Sequence, residues 1–225
     1  MLCEAYLDLR YLLNRGYRKG YALEFVANHY RLSREERHLL ARCVFSDEWI
    51  AEVQGKLLKP EELRDRVLAI DGFNVLITLE SILEGKAVLC EDGLVRDLKY
   101  QGKYRLNEGT ERVIEDVAES LARLGVSKAI FFYGSAVPRS GVVRKLTEKI
   151  LEREGVPGEV RLVRSPDFEL KKFETVATAD VGIISRVPAV FDLAAYAGRP
   201  PRGGVKPLVE ILRKAQQSRI EKTSV

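Results

Sequence analysis

Cysteine, histidine, methionine and tryptophan are all scarce in this 225-residue chain, with three, two, one and one respectively. Cys3, Cys43 and Cys90 stand far apart and in no CxxC or CxxH spacing, which argues against a disulfide framework and against a structural zinc site. Cys43 and Cys90 fall in apolar runs and are expected to be small core residues, as is Trp49. His29 and His38, nine residues apart, are not expected to bind metal. No stretch reaches about eighteen uncharged apolar residues, so no membrane-spanning helix is expected. The opening MLCEAYLDLRYLL carries Glu4, Asp8 and Arg10 inside its apolar pattern, unlike a signal peptide, and a cytoplasmic protein without membrane association is expected. No GxGxxG follows any apolar run, against a dinucleotide site. Asn and Gln number four each beside abundant Glu, Lys and Arg, the balance of a thermophile's protein.

What is present is ordinary globular material, 46% hydrophobic and 31% charged, enough for one medium domain and a smaller one. The net charge of +4 is uneven. Residues 199–225 hold seven basic side chains against Glu210 and Glu221, while residues 67–198 are slightly acidic. An acidic centre with a basic tail suits a metal site beside a polyanion-binding arm, and equally a solvated terminal helix.

Residues 4–58 read as helices, with Ser33 and Glu36 forming a capping box at the start of one of them. Pro60, at a helix N1 position in the charged run KLLKPEELRDR, marks a junction near 58–66. Beyond it, VLAID, KAIFFY, VRLVRS and ETVATAD have strand length and composition. TERVIEDVAESLARLG and SGVVRKLTEKILEREG, ending in Gly125 and Gly155, read as helices. Strands apolar on both faces, alternating with helices, predict an α/β domain with a parallel sheet covered by helices. AVFDL at 189–193 is a candidate fifth strand, 85–107 is loop or a strand pair, and 205–221 is a final amphipathic helix. The expected division is a helical domain over 1–62, an α/β domain over 63–200 and a basic C-terminal helix and tail over 201–225.

Asp71 and Asp180 each close a predicted strand, at the edge of a parallel sheet where ligands bind. If those strands are neighbours, the two carboxylates repel unless a cation lies between them, and oxygen ligands select Mg²⁺ or Mn²⁺. The competing expectation is that each Asp merely caps the segment after it. Asn74 is a candidate substrate contact, or a brace for its loop through the side-chain amide.

LAIDGFNVLI resembles the first strand of PIN-like and NYN-type nuclease domains, and ETVATADVGIISRVPAVFDLA resembles their fourth strand, Thr-x-Asp turn and short fifth strand. The whole chain resembles an uncharacterised, largely archaeal family that joins a small helical domain to such a PIN-like domain. LLNRGYRKGYALEFVANHYRLSREERHLLAR carries the helical part of that likeness. The resemblance implies a metal-dependent ribonuclease, with Asp71, Asp167 and Asp180 as catalytic acids holding Mg²⁺ or Mn²⁺. Asp97 is taken as a further metal ligand, with Asp92, Glu80, Glu115 and Asp116 as other candidates. Some relatives place an Asp after the strand KAIFFY, where this chain has Tyr133, Gly134 and Ser135. A non-catalytic RNA-binding or scaffold protein with a degenerate acidic site is therefore the alternative.

RDLKYQGKYR interleaves Arg96, Lys99, Lys103 and Arg105 with Tyr100 and Tyr104, a pattern for gripping unpaired RNA or else a charged, exposed loop. Ser140 opens a helix whose N–H groups can meet a phosphate, unless it is an ordinary cap. EFVANHYRLSREERHLL has a faint helix-turn-helix cadence. Arg31 replaces the usual Gly there, and Glu35 and Glu36 would face DNA, so a packing or homodimerising helical domain is expected instead. An aspartyl phosphohydrolase is disfavoured because Phe73 stands where a second Asp is needed.

Overall fold

The chain traces, in order, α1 (Leu2–Asn14), α2 (Lys19–His29), α3 (Arg34–Cys43), α4 (Asp47–Lys56), a 3₁₀ turn (Pro60–Leu63), β1 (Val67–Asp71) and α5 (Gly72–Leu83). There follow β2 (Ala87–Leu89), β3 (Val95–Asp97), α6 (Thr110–Leu124), β4 (Lys128–Gly134), α7 (Ser140–Arg153), β5 (Gly158–Val163) and α8 (Pro166–Leu170). The last elements are β6 (Thr175–Ala177), α9 (Val181–Ile184), β7 (Ala189–Val190), α10 (Leu193–Ala197), β8 (Lys206–Pro207) and α11 (Leu208–Thr223). The computed structural model describes residues 1–98, 104–198 and 205–223, with side chains to Gln217. Among the described residues, no helix is long and apolar enough to cross a membrane.

Two units emerge. One combines Met1–Gly55, Lys86–Tyr100 and Val205–Val225; the other combines Lys56–Gly85 and Gln101–Gly204. In the first unit, the Ser33 hydroxyl accepts from the Glu36 N–H at 3.2 Å while the Glu36 carboxylate accepts from the Ser33 N–H at 2.8 Å, so the capping box forms. Arg31 takes a positive φ of 50° in the turn before it, the position where Gly is usual. β2 and β3 pair antiparallel, and β8 joins β2 in parallel. α11 then lays Leu208 and Leu212 into the core formed by Leu9, Leu40 and Val44.

This division differs from the linear one expected. The helical unit carries a small sheet of its own, and residues 205–223 complete it rather than standing apart as a basic tail. The i, i+4 apolar pair at 208 and 212 explains why: both side chains are buried in that core and so leave water.

In the second unit, five parallel strands take the order β5-β4-β1-β6-β7. Consecutive burial of Leu68, Ala69 and Ile70 in β1, and of Ala129 through Tyr133 in β4, means that both faces are covered. The apolar residues after Asn74 form the buried side of α5, with Val75, Leu76, Leu79 and Ile82 in the core. Gly125 and Gly155 both adopt φ of 65°, the left-handed conformation that ends α6 and follows α7. β6 stops at Ala177, three residues before Asp180, because the Thr178 hydroxyl accepts the Asp180 N–H at 3.1 Å and bends the chain out of the ladder.

Candidate functional site

From β1 the chain steps outward to β4 and β5, then returns to the other side for β6 and β7. The reversal puts the carboxyl ends of β1 and β6 side by side, with Ile70 in register with Ala177. That is the topological switch point where open parallel sheets leave a crevice.

Asp71 ends β1 and stands at the N-cap of α5 without a side-chain capping bond. Its Oδ2 instead accepts from the Thr178 hydroxyl at 3.0 Å. Asn74, one turn into α5, accepts the Ala179 N–H on its Oδ1 at 2.9 Å and so ties the helix start to the loop after β6. Asp180 caps α9, its Oδ1 accepting from the Ile183 N–H at 3.1 Å. The capping alternative thus describes one oxygen of Asp180, while at Asp71 only the pull of the Asn74 backbone N–H acts in that sense. Gly72 is required by close approach: a Cβ there would lie 2.3 Å from Cε1 of Tyr133.

Burial pushes the Asp71 carboxyl up to about 7, the Thr178 hydroxyl pulls it back, and the charges of Asp180 and Asp167 raise it further. Asp167, exposed on α8, is therefore close enough for its charge to act on Asp71. Among the described residues, none of Asp71, Asp167 and Asp180 is ion-paired with a lysine or arginine. Nor, among those residues, does any group of three or more His, Cys, Asp or Glu form a ready-made metal cluster. Mg²⁺ is commonly held by one or two carboxylates with water and substrate phosphate supplying the rest, and a half-buried carboxyl that feels two like charges without a basic partner among the described residues fits such an ion.

The other acids considered from the sequence are engaged elsewhere. Asp97 lies in the helical unit, its Oδ2 accepting from Arg42 at 2.5 Å. It is corrected as a metal ligand, since Arg42 already neutralises its carboxylate. Asp92, in that same unit, holds Arg96 through two bonds of 2.7 Å. In the α/β unit, Glu80 accepts from Tyr104 and Asn107 at 3.0 and 3.1 Å. Glu115 pairs with Arg153 at 2.8 Å, and Asp116 with Arg112 at 3.1 Å.

The expected RNA platform is also corrected. Arg96 is 1% exposed and locked to Asp92, so it cannot reach a phosphate. Tyr104 is buried with its ring stacked on Phe73 at 5.1 Å, so its face is not free for a base. Arg105 is exposed, whereas Lys99, Tyr100 and Lys103 lie outside the described residues. Ser140 is buried at the first position of α7, behind Arg139 at the N-cap. What stands open there is a groove of about 700 Å³ lined by Arg139, Gly141, Arg144, Lys145 and Leu162. Sequence reasoning saw Ser140 and missed the arginines and lysine around it, although the helical spacing of 141, 144 and 145 was a usable signal. It also missed Thr178 as the hydrogen-bond partner of Asp71.

At the end of β4, the Tyr133 ring packs against Phe73 at 4.7 Å and its hydroxyl meets that of Thr147 at 3.0 Å. That neighbouring strand contributes a buried aromatic instead of a carboxylate.

Residues 60–196 match a family described as a domain of unknown function (DUF5616), and residues 1–56 match one described as a protein of unknown function (DUF434). An uncharacterised protein of Methanocaldococcus jannaschii, an archaeon, is 41% identical over 194 residues, covering 84% of this chain and 93% of its own length. No solved structure matches the chain significantly.

Proposed function

We propose, starting from a chain that belongs to the family described as a domain of unknown function (DUF5616), that the acidic crevice of its α/β unit binds Mg²⁺ or Mn²⁺ and cleaves RNA. The observation that carries this proposal is the Asp71 carboxyl at the switch point, which feels the like charges of Asp180 and Asp167 and has no basic partner among the described residues. The strand order, with an acid ending its first strand, further supports a PIN-like assignment of the sheet.

Asp71 and Asp180 would hold the ion, with Asp167 as the third acid. The bound ion supplies a water of lowered pKa and neutralises charge on the scissile phosphate. Thr178 orients one oxygen of Asp71, and the Asn74 side-chain oxygen ties the start of α5 to the loop that carries Asp180. Arg139 and Lys145, in the groove beginning α7, are suited to hold RNA phosphates by charge without reading sequence.

Labelled single-stranded RNA incubated with the purified chain should be cut in Mn²⁺ and left intact in EDTA. Asp71→Asn should reduce the rate at least a hundredfold. Cleavage unchanged in the variant would refute the proposal. A second reading, RNA binding without turnover, is favoured by Tyr133 at the end of β4. It predicts RNA affinity that persists in chelator with no product.

A homodimer through the helical unit is supported by Leu7 and Tyr11 on α1 and Tyr21 and Phe25 on α2, all well exposed. Light scattering should give twice the chain mass, and Phe25→Glu should return it to the monomer.

A further inference from the structure

The helical unit contains a second cluster of reactive groups that the nuclease proposal does not use. Cys43 is the last residue of α3 and Cys90 follows β2, 47 positions later. Both are buried free thiols, and their sulfurs lie 2.8 Å apart. The backbones are already docked there, since the Cys43 carbonyl accepts the Glu91 N–H at 3.2 Å. We propose that Cys43 and Cys90 are a reversible dithiol switch, oxidised by peroxide to a disulfide that bolts the hairpin to α3.

Two further features support the assignment. A cleft of about 190 Å³, lined by Tyr6, Cys90, Glu91, Pro207 and Val209, reaches Cys90 from the surface and admits a molecule as small as hydrogen peroxide. The charge environment separates the two thiols. Cys43 is pushed up by its hydrogen bond with Cys90 and by burial. Burial would push Cys90 up as well, but the Cys43 hydrogen bond and the nearby Arg96 guanidinium hold it below its ordinary value. The cleft is lined by Cys90 and not by Cys43, so Cys90 is the sulfur that meets the oxidant first, and Cys43 the thiol that resolves it.

In the first step the Cys90 thiolate attacks one peroxide oxygen, the O–O bond breaks, and Cys90 sulfenic acid forms with loss of hydroxide. In the second, Cys43 sulfur attacks Cys90 sulfur, its S–O bond breaks, and the oxygen leaves as water with the Cys43 proton. Overall two thiols are oxidised by two electrons, and one peroxide is reduced to two waters. The two sulfurs are in contact, so a disulfide can form with side-chain movement and without displacing the backbone.

The test uses the full chain, reduced, desalted and exposed to hydrogen peroxide, then denatured, alkylated and weighed. Alkylatable thiols should fall from three to one, the mass should drop by two hydrogens before alkylation, and dithiothreitol should restore all three. Peptide mapping should find Cys43 joined to Cys90 within one chain. In Cys3→Ser, thiols should fall from two to none, which keeps the test independent of the third, half-buried cysteine. In Cys43→Ser, Cys90 should stop at the sulfenic acid and be trapped by dimedone. Three surviving thiols, intermolecular disulfides alone, or over-oxidation of Cys90 with Cys43 still free in Cys3→Ser would each overturn the proposal.

Discussion

Asp71 combines a position that chemistry can use with an energetic cost that can be measured. Its carboxyl titrates near 7 when folded, against about 3.8 ordinarily, so between those values the native state binds the extra proton. Stability from this group is thus fully present below about pH 4 and lost as pH rises towards 7, after which the curve flattens. In chelating buffer, Asp71→Asn should be more stable than the wild type at pH 8 by roughly 1–3 kcal/mol and nearly equal to it at pH 4, by urea denaturation. Mn²⁺ at pH 7.5 should raise the wild-type melting temperature and leave that of the variant unchanged. A pH-independent difference between the two proteins would mean that the carboxyl is solvated. The position of Asp71 was legible because an acid closing an apolar run is conspicuous. The partnership with Thr178 was not, for 107 residues separate the two and a hydroxyl carries no sequence signal of the carboxylate it will meet.

At the level of elements, the β2–β3 hairpin shows where the sequence misleads. Its segment is rich in charge and reads as exposed, yet Arg96 and Asp92 are 1% and 0% exposed and hold each other through two bonds. The Trp49 indole N–H also donates to Asp92, at 3.1 Å, and the Arg96 guanidinium lies 4.9 Å from the Phe45 ring centre. Residue-type averages place arginine outside, and only a tertiary partner overrides them. Breaking such a pair leaves an uncompensated buried charge. Arg96→Met should therefore cost about 3–5 kcal/mol in unfolding free energy, and Arg96→Met with Asp92→Leu together should cost much less than either alone. Additive losses in that double-mutant cycle would contradict the pairing. The long parallel strands and α6 and α7 were legible from apolar runs and terminal glycines. β8, with two residues including Pro207, carries no period from which it could be read.

On the scale of the whole molecule, the helical unit is discontinuous, assembled from three separate stretches of chain. Leu208 and Leu212 in its core come from the last of them, and Val88 and Cys90 from the middle one. Residues 1–55 expressed alone should lack these side chains and show, by circular dichroism, no cooperative thermal transition. Adding the peptide 205–225 should not restore it without 86–100. A sharp transition in the isolated fragment would show that its four helices suffice. The linear boundaries expected from composition missed this because charge and hydropathy vary along the chain, whereas membership of a core is decided by which apolar stripes meet.

A consequence follows for synthesis in the cell. The first four helices leave the ribosome well before the residues that cover their apolar side, and about 150 more must be polymerised before Val205 is made. At ordinary elongation rates that interval is on the order of ten to thirty seconds. During it the nascent N-terminal segment must be shielded or tolerate exposure, and a truncated product that stalls before the last stretch is a natural client for chaperones and proteases.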